Sequence, residues 1–388
     1  MIRRIDYSNF KSLRECTLEP QPVNLLIGAN AAGKSNVVRG FRFLADAVRT
    51  DVESATSPLG GIEGAIHLGA SPGEFEMSID YFVPDPSAPK SKSDMSYRIR
   101  IGKHESRAAV LEEELRMKTR RNERGRAKVW LHSKLGKGRA VSDPAKPQDM
   151  ESFDTEDPGV LALKAVGFLD RFPRIRALRT FVEGWQFLSV SLDAIRAPHR
   201  DVRADHLEPD ASNLVNVLRT IRGSPDYTAI LDDLRELLTV VEDVETSVER
   251  GRVQLLLKEH SFSDPVEALS VSDGTLRLLA LLTALHLMPE HGLLCVEELE
   301  HGLHPHLFGP LLDMIRERCP DGGARQIIVT THSPDFVDAA EPEEVVVVER
   351  RAGKTQLDRL ERGAVRKWLK EFRLGELWRL RHIGGVQP

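Results

Sequence analysis

Residues 23–47 constrain the fold of this chain more than any other part of its sequence. They open with an apolar run, Val23–Ile27, which is typical of a buried strand. The next eight residues, 28–35, follow the pattern G-x-x-x-x-G-K-S. Apolar residues then recur at spacings of three and four, which predicts a helix. Strand, glycine-rich loop and helix in this order form a P-loop, and the sequence therefore predicts an α/β core.

The residue types of this loop suit the phosphates of a nucleoside triphosphate. Gly28 and Gly33 let the backbone turn where a side chain would block a phosphate. The loop amides and the start of the helix attract anions. Lys34 reaches the β- and γ-phosphates, and the Ser35 hydroxyl is a ligand for Mg²⁺. The predicted nucleotide-binding residues are Gly28, Ala29, Asn30, Ala31, Ala32, Gly33, Lys34, Ser35 and Asn36.

Two later apolar strands end in polar residues that suit nucleotide hydrolysis. Residues 293–296 precede Glu297 and Glu298, and residues 327–331 precede His332. Ligands of parallel sheets lie at the carboxyl ends of the strands. We expect Glu297 to bind Mg²⁺, Glu298 to act as the general base, and His332 to contact the γ-phosphate or hold the attacking water. The alternative is that these residues only cap strands in solvent.

A fourth segment, residues 270–277, precedes a long apolar helix and contains Ser, Asp and Gly. This composition predicts a helix N-terminus. Two interpretations remain open from the residues alone. The segment is either a simple cap or a second anion site, in which Ser272 and Gly274 offer a hydroxyl and an amide to a phosphate.

In this order, the four motifs resemble the ABC-type ATPase heads of the RecF/SMC/OLD group. Residues 9–13 (NFKSL), 272–279 (SDGTLRLL), 297–305 (EELEHGLHP) and 375–378 (GELW), with the glycines at 384 and 385, also resemble this group. The resemblance implies an α/β fold with a mixed sheet core, an antiparallel β subdomain and a helical subdomain. It also implies an ATPase that uses ATP and Mg²⁺.

The resemblance further implies a homodimer in which two heads pair face to face around two ATP molecules. Ser272, Gly274 and Thr275 of one subunit would then close over the γ-phosphate held by Lys34 of the other. Residues 300–304 match the loop that crosses such an interface. Two positions depart from the pattern of the group: Glu297 stands where Asp is usual, and Leu299 stands where Pro is common.

The order of these motifs predicts one ATPase domain over residues 1–388. Within it we expect an N-terminal lobe at 1–142, a helical subdomain at 157–249 and a C-terminal lobe at 250–388. Heptad repeats do not continue long enough to predict coiled-coil arms. The 56 residues that follow His332 are too few for a nuclease domain, so we expect any nuclease or other effector on another chain.

A local excess of positive charge predicts where this chain would contact DNA. The formal net charge is −5, so no global basicity indicates nucleic acid. Residues 116–139 nevertheless contain ten Lys and Arg against the single acid Glu123, and Trp130 lies among them. Such a run either contacts phosphates or is a solvated loop.

The N-terminus has no apolar core of signal-peptide length and no stretch is long enough for a membrane span, so we expect a cytoplasmic protein without membrane contact. Three functions fit these features. The first is a DNA repair or genome-maintenance ATPase of RecF type. The second is the ATPase subunit of an anti-phage defence or nuclease complex. The third is a nucleotide-gated scaffold that hardly hydrolyses ATP.

Overall fold

The computed structural model describes residues 1–85, 88–117, 128–142 and 149–384, with side chains outside residues 83–93. Gly385 and the five basic residues between 118 and 127 lie outside the described residues. The strands are β1 Ile2–Phe10, β2 Leu13–Leu18, β3 Val23–Ile27, β4 Glu74–Asp85, β5 Ala88–His104, β6 Arg107–Met117, β7 Lys128–Lys134, β8 Lys137–Val141, β9 Met150–Asp154, β10 Gln186–Leu188, β11 His199–Arg200, β12 Val241–Glu249, β13 Arg252–Glu259, β14 Val266–Glu267, β15 Leu293–Val296, β16 Gln326–Thr330, β17 Val345–Arg351 and β18 Lys354–Arg359.

The α-helices lie between and around these strands. They are α1 Lys34–Arg49, α2 Val52–Thr56, α3 Gly61–Ala65, α4 Ala162–Gly167, α5 Pro173–Glu183, α6 Leu192–Arg196, α7 Leu214–Thr220, α8 Pro225–Leu237, α9 Asp273–His286, α10 Phe308–Arg318, α11 Pro334–Asp338, α12 Arg362–Val365 and α13 Leu374–Arg379.

A six-stranded sheet in the order β10-β15-β16-β3-β17-β18 carries the predicted nucleotide motifs. Its first five strands are parallel, and β18 runs antiparallel to β17. Both faces are covered, because alternate residues of each strand enter different cores. Leu26 packs in one core together with Phe41 of α1, and Leu25 packs in the other together with Leu279 of α9. This double burial explains why the strands are almost uniformly apolar in sequence.

An eight-stranded antiparallel sheet, in the order β2-β1-β4-β5-β6-β7-β8-β9, covers the outer side of α1. The alternation of Phe75, Met77, Ile79 and Tyr81 in the sequence predicts a half-buried strand, and all four side chains are buried in β4. Phe75 packs edge-on against Phe43 of α1, with ring centroids 5.2 Å apart. The predicted α/β fold with a mixed sheet and an antiparallel β unit is therefore confirmed.

Residues 157–249 contain the predicted helices, α4 to α8, but also three strands that the sequence pattern does not predict. The three-residue strand β10 joins the edge of the six-stranded sheet beside β15. Strands β11 and β12 pair with β13 instead. β10 has three residues and β11 has two, so both are too short for an alternation of apolar and polar residues to be recognised. β12 has nine residues.

The sequence pattern predicts one last helix that begins near Ala364 and carries Trp368 and Phe372, and this prediction is wrong. The chain forms α12, a 3₁₀ turn at Trp368–Lys370 and then α13. It folds back so that the Trp368 ring stacks on the ring of His382, with centroids 4.7 Å apart. Gly375 packs against the carbonyl oxygen of Pro334, where an added Cβ would lie only 2.0 Å away. Tertiary packing therefore overrides the helical pattern in this segment.

Within the described residues, no helix combines the length and the apolar character that a bilayer span requires.

The buried carboxylate of Glu113 makes the stability of the N-terminal unit depend on pH. Glu113 accepts hydrogen bonds from Tyr97 Oη and from the backbone amides of Ala162 and Leu163 at the start of α4. These hydrogen bonds lower the pKa of Glu113, but burial of the carboxylate has the larger effect and raises the pKa to about 7. The folded protein therefore keeps a proton on this group between about pH 4.5 and 7, where the unfolded chain has lost it.

We expect the free energy of unfolding to fall by about 1 to 3 kcal/mol as the pH rises from 4.5 to 7 because of this group. Glu113→Gln cannot titrate, so its unfolding free energy should lack this component in urea titrations across the same range. The exposed turn residue Glu105 provides the matched control, and Glu105→Gln should retain the wild-type pH dependence. Parallel pH profiles for wild type and Glu113→Gln would contradict the assignment.

Candidate nucleotide-binding site

The carboxyl ends of three neighbouring strands meet at one edge of the six-stranded sheet. Strands β15, β16 and β3 are adjacent and parallel. The acidic pair Glu297 and Glu298 follows β15, His332 follows β16, and the glycine-rich loop follows β3. Because neighbouring strands lie about 5 Å apart, the three sequence motifs are brought to the same edge.

The loop between β3 and α1 turns through backbone conformations that favour glycine. The φ angles of Gly28 and Gly33 are 153° and 118°, and Ala31 has a φ of 62°. A Cβ on Gly28 would lie 2.1 Å from the carbonyl oxygen of Val348 in β17. The loop is therefore pressed against the neighbouring strand, and only glycine fits at this position.

The ammonium group of Lys34 lies inside the curve of the loop. Lys34 is 5% exposed, and its Nζ donates to the carbonyl oxygens of Gly28 at 2.8 Å and Ala29 at 3.2 Å. Burial lowers the pKa of Lys34 to about 8, while the carboxylates of Glu298 and Glu300 oppose this shift. An anion in the loop would favour the charged form of this lysine.

The start of α1 offers backbone amides to an anion. The N-cap residue, Gly33, has no side chain to cap the helix, and the first turn contains no acidic residue. The helix that begins at this end is sixteen residues long. Its partial positive charge is therefore available to a phosphate, and the Ser35 hydroxyl lies in the same turn. These features fit a nucleotide phosphate with Mg²⁺, for which a few oxygen ligands from the protein suffice.

The acidic pair after β15 is held by backbone hydrogen bonds on both sides. The amide of Glu297 donates to the carbonyl oxygen of Leu188 in β10, at 3.1 Å. Glu298 has a left-handed backbone, with φ of 52°, and its amide donates to Thr330 Oγ1 in β16, at 3.0 Å. Its side chain is half exposed and lies 2.8 Å from Nδ1 of His301. The carboxylate charge of Glu298 raises the pKa of Lys34, against the effect of burial.

Glu300 connects this acidic segment to the histidine loop. Its Oε1 accepts a hydrogen bond from the backbone amide of His332, at 2.6 Å. Its Oε2 is buried and has no hydrogen-bond partner among the described residues. Desolvation and the nearby Lys34 lower the pKa of the His332 imidazole, against the opposing charges of Glu298 and Glu300. The resemblance places Glu300 only in the segment that crosses the dimer interface, although it is the third acid within four residues of the sequence.

The Ser-Asp-Gly segment forms the N-terminus of α9, as predicted. Ser272 caps the helix by accepting from the amide of Thr275, at 3.2 Å, and its hydroxyl also pairs with Thr275 Oγ1 at 2.7 Å. Ser272 is exposed, whereas Thr275 is buried. A Cβ on Gly274 would lie 2.5 Å from the carbonyl oxygen of Gly302, so the helix start packs directly on the 300–304 segment.

Within the described part of the chain, no hydrogen bond or ion pair joins residues 270–277 to residues 28–36. The structure therefore brings the loop, the acidic segment and His332 together, and the start of α9 contacts this group through the 300–304 segment. Leu299, at the position where the resemblance expects Pro, is buried in the core.

The sequence matches a protein-family model described as "AAA domain, putative AbiEii toxin, Type IV TA system" over residues 23–338. This match spans well over half of the chain. The chain belongs to this family of P-loop ATPase domains. Among curated proteins, none matches the sequence.

Solved head domains of SMC proteins share the fold of this ATPase. One is an SMC head bound to the C-winged helix domain of ScpA, with a TM-score of 0.57 at 15% identity, over 93% of this chain and 98% of that chain. Another is an SMC head with an extended coiled coil bound to the C-terminal domain of ScpA, derived from Pyrococcus furiosus. Its TM-score is 0.50 at 13% identity, over 95% of this chain and 98% of that chain. Together with the family match, these similarities confirm the predicted fold of an ABC-type ATPase head.

Acidic neighbours partly neutralise the positive charges of the described residues in the segment 116–139. Arg116 pairs with Glu114 at 2.6 Å, and Lys134 lies 3.7 Å from Glu112. Trp130 is 2% exposed, and the guanidinium of Arg174 lies 4.2 Å from its ring centroid. Trp130 is therefore a core residue that is not placed to stack on a nucleic-acid base.

We expect the Glu300 contact to control how firmly the His332 loop is held. Glu300→Ala removes the acceptor of the His332 amide, and hydrogen exchange at this amide should accelerate by roughly ten- to a hundredfold. Glu300→Gln keeps an acceptor oxygen and should retain most of the protection. Exchange measured by NMR in the nucleotide-free protein checks both variants.

Glu317, exposed on α10, serves as the control position for this measurement. Glu317→Ala should leave exchange at His332 unchanged. An unchanged rate in Glu300→Ala would show that the contact does not hold the loop.

Proposed function

We propose that this ATPase hydrolyses ATP at composite sites formed when two copies of the chain pair on ATP. One copy supplies the loop residues 28–36, the acidic segment and His332. The other supplies Ser272, Gly274 and Thr275. The observation that carries this proposal is the placement of Ser272, which is exposed at the N-terminus of a long helix and, among the described residues, makes no hydrogen bond with the loop of its own chain.

Each side chain has a defined task in this proposal. Lys34 and the amides at the start of α1 bind and orient the phosphates. Ser35 and Glu297 hold Mg²⁺, which neutralises charge on the phosphate oxygens when bound. Glu298 accepts a proton from the attacking water, and His332 contacts the γ-phosphate. The partner's Ser272 hydroxyl and Gly274 amide complete the phosphate shell and exclude water.

The surface around Ser272 supports an interface there. His301, Gly302 and His304 are exposed in the segment that packs on the start of α9. This continuous surface would face the partner if the two helices cap each other's nucleotides. A two-fold symmetric arrangement places both composite sites in one interface.

We propose two cellular roles for such a switch. The resemblance to RecF/SMC heads and the basic segment support the first role, in DNA repair or genome maintenance. The matched family, described as a putative toxin of a toxin–antitoxin system, favours the second role, in anti-phage defence with an effector on another chain. Both roles use ATP-dependent pairing of two chains. If the protein binds ATP but shows no steady-state ATP hydrolysis, the third function, a nucleotide-gated scaffold, applies instead.

Glu298→Gln binds ATP but cannot accept the proton of the attacking water, so it should accumulate as an ATP-bound dimer. Size-exclusion chromatography with light scattering should show a dimer with ATP and a monomer without it. Lys34→Ala should not bind ATP and should not form a dimer with itself. A Glu298→Gln protein that binds ATP and stays monomeric would contradict composite sites.

Mixing two inactive variants provides a sharper test of the same proposal. Lys34→Ala and Ser272→Arg should each lack ATPase activity. A mixed dimer keeps one intact site, built from Lys34 of one chain and Ser272 of the other, so an equimolar mixture should recover roughly a quarter of the wild-type activity. If Ser272→Arg alone hydrolyses ATP at the wild-type rate, each chain works alone.

DNA binding through residues 116–139 is a separate proposal with its own test. Replacing Arg120, Arg121, Arg124 and Arg126 by Glu should weaken binding to duplex DNA and flatten its dependence on salt, because fewer counterions are released. Replacing Arg203, Arg250 and Arg252, which lie on other surface segments, provides a charge control. Fluorescence anisotropy at several salt concentrations measures DNA binding by both sets of variants. If the first set binds DNA with an unchanged salt dependence, residues 116–139 do not bind DNA.

A further inference from the structure

The hairpin of β17 and β18 reaches the back of the glycine-rich loop with one buried hydroxyl. Thr355, near the start of β18, is 1% exposed. Its amide donates to the carbonyl oxygen of Ser12 at 3.1 Å, and its carbonyl oxygen accepts from the Cys16 thiol at 3.0 Å. The backbone of Thr355 is therefore held by the first hairpin of the chain, and its side chain has a fixed position.

A chain of hydrogen bonds runs from α1 through this hydroxyl to the loop. Asn36 Nδ2 donates to Ser12 Oγ at 2.8 Å, and Ser12 Oγ lies 2.8 Å from Thr355 Oγ1. Thr355 Oγ1 donates to the carbonyl oxygen of Ala32, also at 2.8 Å. Because the carbonyl can only accept, the Thr355 proton points to Ala32, and Ser12 must donate to Thr355. All the donors therefore point in one direction, which strengthens each bond in the series.

The contact with Ala32 determines where the next amide points. In a planar trans peptide the C=O and N–H bonds point in opposite directions. Since the Ala32 carbonyl is held toward Thr355, the amide of Gly33 points away from Thr355, toward the opposite side of the loop. Gly33 accepts both signs of φ, so without this anchor the peptide between Ala32 and Gly33 could flip at low cost.

Close packing shows that Thr355 and Gly33 fit each other. A Cβ on Gly33 would lie 2.3 Å from Thr355 Oγ1 and 2.8 Å from its Cγ2. The threonine thus fills the space that a side chain at position 33 would need. This contact joins residues more than three hundred positions apart in the chain.

We propose that Thr355 is a positioning residue for nucleotide binding, which holds the Ala32–Gly33 peptide with its amide directed at the phosphates. Ser12 is the second link of the same device. Neither residue touches the nucleotide in this proposal. The proposal rests on phosphate binding by residues 28–36 and is independent of dimer formation, because binding to one chain is sufficient to test it.

The test compares the affinity for ADP, which is not hydrolysed, by isothermal titration calorimetry. Thr355→Val keeps the shape but removes the hydroxyl, and the Kd should rise roughly tenfold. Thr355→Ser restores the hydroxyl and should stay within about twofold of wild type. Gln356→Ala changes the exposed neighbour on the same strand and should leave the Kd unchanged.

A merely structural role for Thr355 would lower the thermal midpoint without changing the Kd of the folded protein. A Thr355→Val protein that is folded by circular dichroism and binds ADP as tightly as wild type therefore overturns the proposal. If that variant does not fold, Thr355→Ala, which also removes the hydroxyl that holds the Ala32 carbonyl, is measured instead, and an unchanged Kd overturns the proposal. Loss of ADP binding in Lys34→Ala, measured alongside, tests the phosphate site itself and separates the two failures.

Discussion

The geometry of the peptide bonds between β3 and α1 is the constraint on which the rest of the site depends. An anion can be held by backbone amides only if successive peptides turn their N–H groups to one side. The carbonyl groups then point outward and must be satisfied by neighbouring elements. Here Lys34 takes the carbonyls of Gly28 and Ala29, and Thr355 takes that of Ala32. The loop is thus defined from both sides, by its own lysine and by a distant hairpin.

A second layer of contacts links the loops at the neighbouring strand ends. Thr330 binds the amide of Glu298, and Glu300 binds the amide of His332. The acidic segment and the histidine loop therefore hold each other, and a shift of one strains the contacts of the other. Two effects oppose each other at Lys34: burial lowers its pKa, and the carboxylates of Glu298 and Glu300 raise it. Such a balance is easily changed by a bound phosphate, because its charge acts at short range in a partly desolvated site.

The start of α9 combines a buried body with an exposed tip. The helix is apolar on most sides because α8 and the six-stranded sheet cover it, while Ser272 and Asp273 remain exposed. Arg196 of α6 binds the Asp273 carboxylate at 2.6 Å and the carbonyl oxygen of Val271 at 2.9 Å, so the tip is firmly placed. The proposed pairing of two chains would use this rigid tip together with the adjoining 300–304 segment, without ordering a new element first.

The sequence by itself determined the P-loop, the order of the motifs and the α/β class, because these depend on local patterns: glycine spacing, apolar runs and strand ends. It did not reveal β10 or the break in the C-terminal helix, since the first is too short to show a period and the second results from the stacking of Trp368 on His382. Only the tertiary structure placed Glu300 beside the His332 amide, Thr355 behind Ala32 and Trp130 in the core. The physical reason is that a hydrogen bond or a buried contact depends on distance in space, and residues 32 and 355 become neighbours only when β17 pairs with β3.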